Sequence, residues 1–464
     1  MKRALSLIIL SLTIPFMTVH GAEYSTEAGA QKLIEFQMQH SQAWDHVAHL
    51  ADQIGARPSG SENAAEAIRW AKETLESWGL DEVRFEPVTV PRWVRGEERA
   101  RLTSHLDQPI ILTTLGRSVA TPAEGIEAEV VEVSSLDEVD QLGESVRGKI
   151  VLYNVPMDIN LVESGDAFAA YSRAVPARGA GADRAAKHGA VAALVRSMAS
   201  ASLRTPHTGA MRYGGDVPKI PAAAVTTEDA DLIHRLIERG ERVRMHLVLT
   251  PRTMPEVESA NVIAELRGRE LPDEIVVIGG HIDSWDLGTG AIDNGAGVAG
   301  TMEAMRAMAA LEMRPRRTVR LVLFMNEEMG LSGAVQYFKD HEDELENHFA
   351  TLESDSGATE PTGFRTTLNQ EQIESLGGLF EPLAGLGANM FVTGSPAVGA
   401  DTSPLSKAGV PGFGLMPDSR HYFDYHHSPA DTLDKIDPDE LRKNAAAVAA
   451  MTWILADTAV ESLR

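Results

Sequence analysis

The chain has 464 residues, 43% of them hydrophobic, and no cysteine. That length and apolar content suffice for two or three domains with sizeable cores, while the missing thiols exclude a disulfide framework and a lipid-modified cysteine. A formal charge of −25 argues against nucleic acid as a partner.

In chain order, the amino terminus reads as a secretory leader: Lys2-Arg3, an apolar run from Ala4 to Val19, then His20-Gly21 ahead of Ala22. Cleavage is expected after Gly21, with Ala22 the near alternative, so residues 1–21 are the leader and the product is periplasmic or extracellular. A membrane anchor is the competing reading. The apolar run is short for a span, so no stable membrane insertion is expected after cleavage. Residues 22–117 read as the first part of a catalytic domain, with an amphipathic helix near Ala64–Trp78.

Between residues 118 and 251 the texture changes, and the segment reads as an inserted α/β unit. Arg147-Gly148-Lys149 gives a turn before the buried strand Ile150–Tyr153, Ala185–His188 is helical, and Ala190–Val195 is another apolar run ahead of Ile220–Ala223. Gly179-Ala180-Gly181 lacks the third glycine of a dinucleotide fingerprint.

Residues 252–464 carry the chemistry. Glu274–Gly280 is a short apolar strand, so His281 and Asp283 fall at its carboxyl end, where active sites of open α/β sheets lie. Asp293 follows a glycine-rich turn and precedes a helical run, Asn294–Met308; an aspartate there is also a plain helix cap. The strand Thr318–Asn326 ends in Glu327-Glu328, which a following helix near Ser332–Phe338 would also favour through its dipole. A third strand, Phe349–Glu353, ends in Asp355. Residues 363–400 read as a loop rich in glycine and apolar residues, and Tyr422–Thr432 is a loop holding His426-His427. An amphipathic helix, Pro438–Ala456, closes the chain.

The fold expected is therefore α/β: a mixed sheet between helices whose central strands carry the site, with an inserted α/β domain. His281, Asp293, Glu328, Asp355 and His427 form a donor set that suits two metals, with Glu327 and Asp283 left over. Imidazole and carboxylate suit zinc, and a carboxylate can bridge two ions roughly 3.5–4 Å apart.

These residues resemble the zinc-dependent exopeptidases with two co-catalytic metals, in particular their carboxypeptidase Q branch. The likeness rests on Gly280-His281-Ile282-Asp283-Ser284-Trp285-Asp286, Gly290-Ala291-Ile292-Asp293, Asn326-Glu327-Glu328, Glu353-Ser354-Asp355-Ser356-Gly357, and His426-His427-Ser428 with Asp431-Thr432. Weaker similarity begins at Ala56-Arg57-Pro58-Ser59-Gly60-Ser61. The resemblance implies that His281 and Asp355 hold one Zn²⁺, that Glu328 and His427 hold the other, and that Asp293 bridges them. Glu327 is then the general base, and Asp283 orients the His281 ring. His427 is preferred to His426 by its distance from Asp431-Thr432.

The same resemblance makes residues 118–251 a protease-associated-like lid, makes short peptides with free termini, dipeptides above all, the substrate, and suggests a homodimer through the 363–400 surface. Asn294 and Ala296 depart from the family pattern, where relatives often carry Asp and Gly. Asp401 lies in a loop near substrate in similar enzymes, although an Asx turn before Ser403-Pro404 is the plainer reading. Two alternatives remain open: an aminopeptidase acting on longer peptides, and a non-catalytic binding protein of the same fold.

Overall fold

The computed structural model describes residues 24–463 except Ala397, so the expected leader lies outside the described residues. Two eight-stranded sheets organise the chain. The first runs in the order Glu82–Val94, Arg252–Leu266, Arg317–Phe324, Leu271–His281, His348–Glu353, Gly412–Pro417, Pro361–Thr366, Met390–Val392. At its centre Leu271–His281 lies parallel to both neighbours. Every residue of Arg317–Phe324 and His348–Glu353 is buried, which is why these strands read as mostly apolar runs, Arg320 aside, rather than alternations.

Helices cover both faces of this sheet. Thr26–His40, Glu62–Ser77, Ala296–Ala310 and Pro438–Asp457 share one core with it, and Ser332–Asp340 packs on the opposite face. The last helix differs from expectation: from Asn444 to Asp457 every residue is buried, so it is enclosed all round rather than amphipathic. Its alanines let it lie between Thr26–His40 and Ala296–Ala310.

The second sheet runs Gln108–Ile110, Glu98–Leu102, Arg244–Leu249, Ile126–Val133, Ile150–Tyr153, Ala192–Arg196, Ala222–Val225, Leu112–Thr114. Three of its strands precede residue 118, so this unit starts earlier than the composition suggests. The cause is visible in Glu98–Leu102, where Ala100 and Leu102 are buried but Glu98, Arg99 and Arg101 mask the apolar signal; the strand is secured by pairing with Arg244–Leu249 at the far end of the segment. The long helix Ala167–Lys187 packs beside this sheet. Residues 363–400 are not a plain loop either. They contribute most of the strand Pro361–Thr366, the helices Gln370–Leu376 and Glu381–Ala384, and the edge strand Met390–Val392.

Candidate metal centre

Parallel pairing brings three strand ends to one place. His281 is level with Phe324, and Gly279 is level with Glu353, so Asp283, Glu327, Glu328 and Asp355 all leave the sheet at the same edge. Asp293 arrives from the turn Ala291–Gly295, where Asp293 and Asn294 are non-helical and share a cis peptide bond, so the helix begins at Ala296 rather than Asn294. The Asn294 side chain accepts from the Gly297 N–H at 3.0 Å and donates to the Ser354 carbonyl at 2.9 Å, tying the helix start to the neighbour of Asp355.

Asp293 is the hub. Its Oδ1 lies 3.1 Å from His281 Nε2, which is also 3.4 Å from Asp355 Oδ1. Its Oδ2 lies 3.2 Å from His427 Nε2, which is 3.1 Å from Glu328 Oε2. The two oxygens of one carboxylate therefore face two imidazoles, each with a further carboxylate of its own. His281 Nδ1 is 3.0 Å from the Asp283 carbonyl and His427 Nδ1 is 3.3 Å from the Thr208 carbonyl, contacts that hold a proton on Nδ1 and turn Nε2 inward as a donor.

The other expected residues find distinct places. The Asp283 carboxylate lies 3.6 Å from His281 Nδ1, and its closer partners are the Asn326 and Glu327 N–H groups, at 2.9 and 3.1 Å, and the Ser59 hydroxyl at 2.8 Å. It thus fixes the turn that presents Glu327 as well as flanking the ring. Glu327 lines the cavity. His426 Nε2 lies 3.6 Å from Asp293 Oδ2, and its ring stacks on that of His427 at 3.5 Å. Asp401 is 1% exposed, and both carboxylate oxygens lack a hydrogen bond, so it forms no Asx turn. Its N–H donates to Glu353 at 3.2 Å.

Three contributors escaped the sequence reading. Asp431 accepts from the Ile292 and Asp293 N–H groups at 2.7 and 3.2 Å and so sets the pose of the hub. Arg57 is fully buried and donates to the carbonyls of Leu50, Gly55, Ile282, Thr289 and Gly290, binding the amino-terminal segment to both site loops. Tyr422 lines the cavity, and burial together with Asp293, Asp355, Glu328 and Asp431 pushes its phenol well above the ordinary value, so it stays a neutral donor. Asp431 and Arg57 stand within segments that carry the resemblance but had no role assigned; nothing local in the sequence marks Tyr422.

The electrostatics call for cations. Burial, with repulsion from Glu328, Asp355 and Asp293, pushes the Glu327 carboxyl well above its ordinary range, against the pull of His281. Burial and Asp293 push Glu328 up to about 7. On the two imidazoles burial opposes charge but the facing carboxylates prevail and raise both well above the ordinary histidine value, while the same contacts hold Asp293 well below the carboxylate range. Protons thus sit where divalent cations would neutralise the same carboxylates.

Residues 261–452 match the family described as peptidase family M28. Human carboxypeptidase Q is 40% identical over 420 residues, covering 90% of this chain and 86% of its own length. The chain belongs to peptidase family M28. As an M28 peptidase it is a hydrolase of the zinc exopeptidase kind, similar to carboxypeptidase Q. The crystal structure of an M28 peptidase precursor from Shewanella amazonensis SB2B matches with a TM-score of 0.90 and 38% identity, over 94% of this chain and 98% of that one. An aminopeptidase from Aneurinibacillus sp. strain AM-1 shares the M28 fold at a TM-score of 0.66 and 20% identity, over 94% of this chain and 98% of its own.

Proposed function

We propose that this M28 peptidase binds two zinc ions and cleaves short peptides with free termini, dipeptides among them. The observation that carries the reading is Asp293, whose two oxygens face His281 with Asp355 on one side and His427 with Glu328 on the other. The donors are the imidazole and carboxylate groups zinc prefers, and Glu328 keeps its Oε1 buried with no hydrogen-bond partner, as a ligand atom would be. His281, Asp355, Glu328 and His427 would hold the ions and Asp293 would bridge them. Zinc there supplies Lewis acidity, lowering the pKa of a water from ~15.7 toward ~7 and polarising a carbonyl oxygen.

The chain's own groups do the rest. Glu327, presented by the turn that Asp283 fixes, has its proton affinity raised toward the working range of a general base; it takes the proton of the attacking water and passes it to the departing amine. The neutral Tyr422 hydroxyl is available to the developing oxyanion.

Residues 118–251, with the strands that precede them, serve as the lid: the Thr208 carbonyl reaches His427, and Arg178, Arg212 and Tyr213 of this unit line the cavity. Export rests on the leader reading; no described helix is long and apolar enough to cross a membrane. A homodimer through residues 363–400 is consistent with exposed Met390 and Val392 on the edge strand, and light scattering of the purified chain tests it.

The relatives' names differ over which terminus is read. The deciding experiment assays zinc-loaded protein, with elemental analysis of bound metal, on one dipeptide in free, amino-blocked and carboxy-amidated forms. Two zinc ions per chain and cleavage of the free form alone are expected. One ion, or equal cleavage of a blocked form, overturns the two-zinc or the free-termini part respectively.

A further inference from the structure

The cavity that contains the site measures about 2070 Å³. A typical ligand pocket is roughly 300–1,000 Å³. Size alone therefore does not exclude long peptides, and selection for short ones must come from charged groups that read a substrate's end.

Arginines supply such groups. Arg420, on the cavity wall, is paired with Asp418. Arg117, Arg178, Arg212 and Arg365 line the same cavity without a carboxylate partner among the described residues, in a chain where 67 acidic residues face 42 basic ones. Arg178 is engaged with the Tyr171 hydroxyl and the Thr208 carbonyl, and Arg365 stands on another sheet. Arg117 and Arg212 are different because the backbone brings them together. A parallel bridge joins Gly116 to Ala210, with the Gly116 N–H donating to Gly209 at 3.0 Å and the Met211 N–H to Gly116 at 3.1 Å. The two arginines thus sit on neighbouring stretches of chain, one and two residues past the bridge, near enough for the Arg212 charge to act on Arg117. The Arg117 guanidinium donates to the Met329 carbonyl, one residue beyond Glu328, which puts Arg117 beside the metal centre, and Arg212 lines the same cavity.

Arg117 is half-buried and Arg212 exposed, both feel one another's charge, and no carboxylate among the described residues neutralises either, which leaves them free to take up an anion from a ligand. We propose that Arg117 and Arg212 form a carboxylate-binding subsite that anchors the peptide substrate next to Glu327 and Glu328. This rests on the peptidase reading and names the group that reading leaves open. A planar guanidinium can engage both oxygens of a carboxylate, and two can clamp it from two sides. Burial and the neighbouring Arg212 charge hold Arg117 below its ordinary value, in keeping with an unneutralised pair. The carboxylate is either the peptide's own carboxyl terminus or an acidic side chain.

The test separates binding from turnover. The zinc-loaded Glu327→Gln chain is titrated calorimetrically with alanyl-leucine, alanyl-leucine amide and alanyl-glutamate α-amide, alone and with Arg117→Gln, Arg212→Gln or Arg365→Gln added. A charge-assisted hydrogen bond corresponds to roughly tenfold in affinity. The expected result is that the free dipeptide binds about tenfold tighter than its amide, and that the changes at Arg117 and Arg212 remove this preference while that at Arg365 does not. In the chain that keeps Glu327 the same two changes should raise KM for the free dipeptide with kcat held. Tight binding of the glutamate amide instead assigns the subsite to an acidic side chain. Equal affinity for acid and amide, no measurable binding of any probe, or loss of the preference only through Arg365→Gln overturns the proposal. Failure of the wild-type chain to cleave any of the probes counts against the peptidase reading, while the titration still decides the subsite.

Discussion

Two neighbouring carboxylates, Glu327 and Glu328, have different work although both are raised, the first half-buried and the second buried. Glu328 points an oxygen at His427, whereas Glu327 is free of ligand contacts and is aimed by Asp283. Glu327→Gln should therefore retain both zinc ions by elemental analysis and lose about 10²–10⁴-fold in kcat, the span of general acid–base assistance. The adjacent histidines divide in the same way. His427→Ala removes a donor that faces two carboxylates and should cost bound zinc, whereas His426→Ala, whose ring stands 3.6 Å from Asp293, should leave the ion content unchanged; metal analysis of both variants checks this.

A pH dependence follows for the metal-free chain. Burial and Asp293 push the Asp431 carboxyl up to about 7 from 3.8, and Glu328 reaches a similar value. Folded carboxyls with raised pKa keep a proton that unfolded ones have released, so their contribution is full at low pH and is lost as pH rises from about 4 through about 7. Thermal unfolding of chelated protein should give a lower Tm at about pH 7.5 than at about pH 5, and Asp431→Asn should flatten that slope. At this scale the metal donors were legible because the residue types and their places after apolar strands are local signals. Arg57 and Tyr422 were not, since the groups that give them their roles come together only in the fold.

At the level of elements, the site depends on how closely the helix Ala296–Ala310 approaches the strand ends. A Cβ at Gly297 would collide with the Ser354 carbonyl and the Asn294 side chain, the same groups that fix the turn around Asp293 and Asp355. Gly297→Ala should lower stability by about 1–3 kcal/mol, as overpacking does, and weaken zinc binding with it; denaturant titration with and without metal tests both. The central strands were readable from continuous apolar character, and their shared carboxyl edge followed from parallel pairing. The entry to the second sheet was not readable, because Glu98–Leu102 is short, half exposed and charged, and is secured by a partner near residue 247. Residues 363–400 misled for a related reason: their strands are peripheral and join the sheet only through pairing with the distant strand Gly412–Pro417.

Across the whole molecule, the carboxylates that crowd the site repel one another unless neutralised. Zinc at ~1,000 times its dissociation constant adds about 4 kcal/mol per site to the folded state, so chelation should lower Tm by several degrees and calorimetry should show it. The second unit also touches the centre at His427. Thr208 donates its N–H to the His427 carbonyl at 2.9 Å and accepts from His427 Nδ1 at 3.3 Å. Linkage is reciprocal: whatever a docked second sheet adds to the grip on the ion beside His427, that ion adds to the docking. Zinc-filled protein should accordingly show slower amide exchange around residues 205–210 than stripped protein. On the two-zinc reading, withdrawing the metal would then loosen the covering of the site as well as stop turnover.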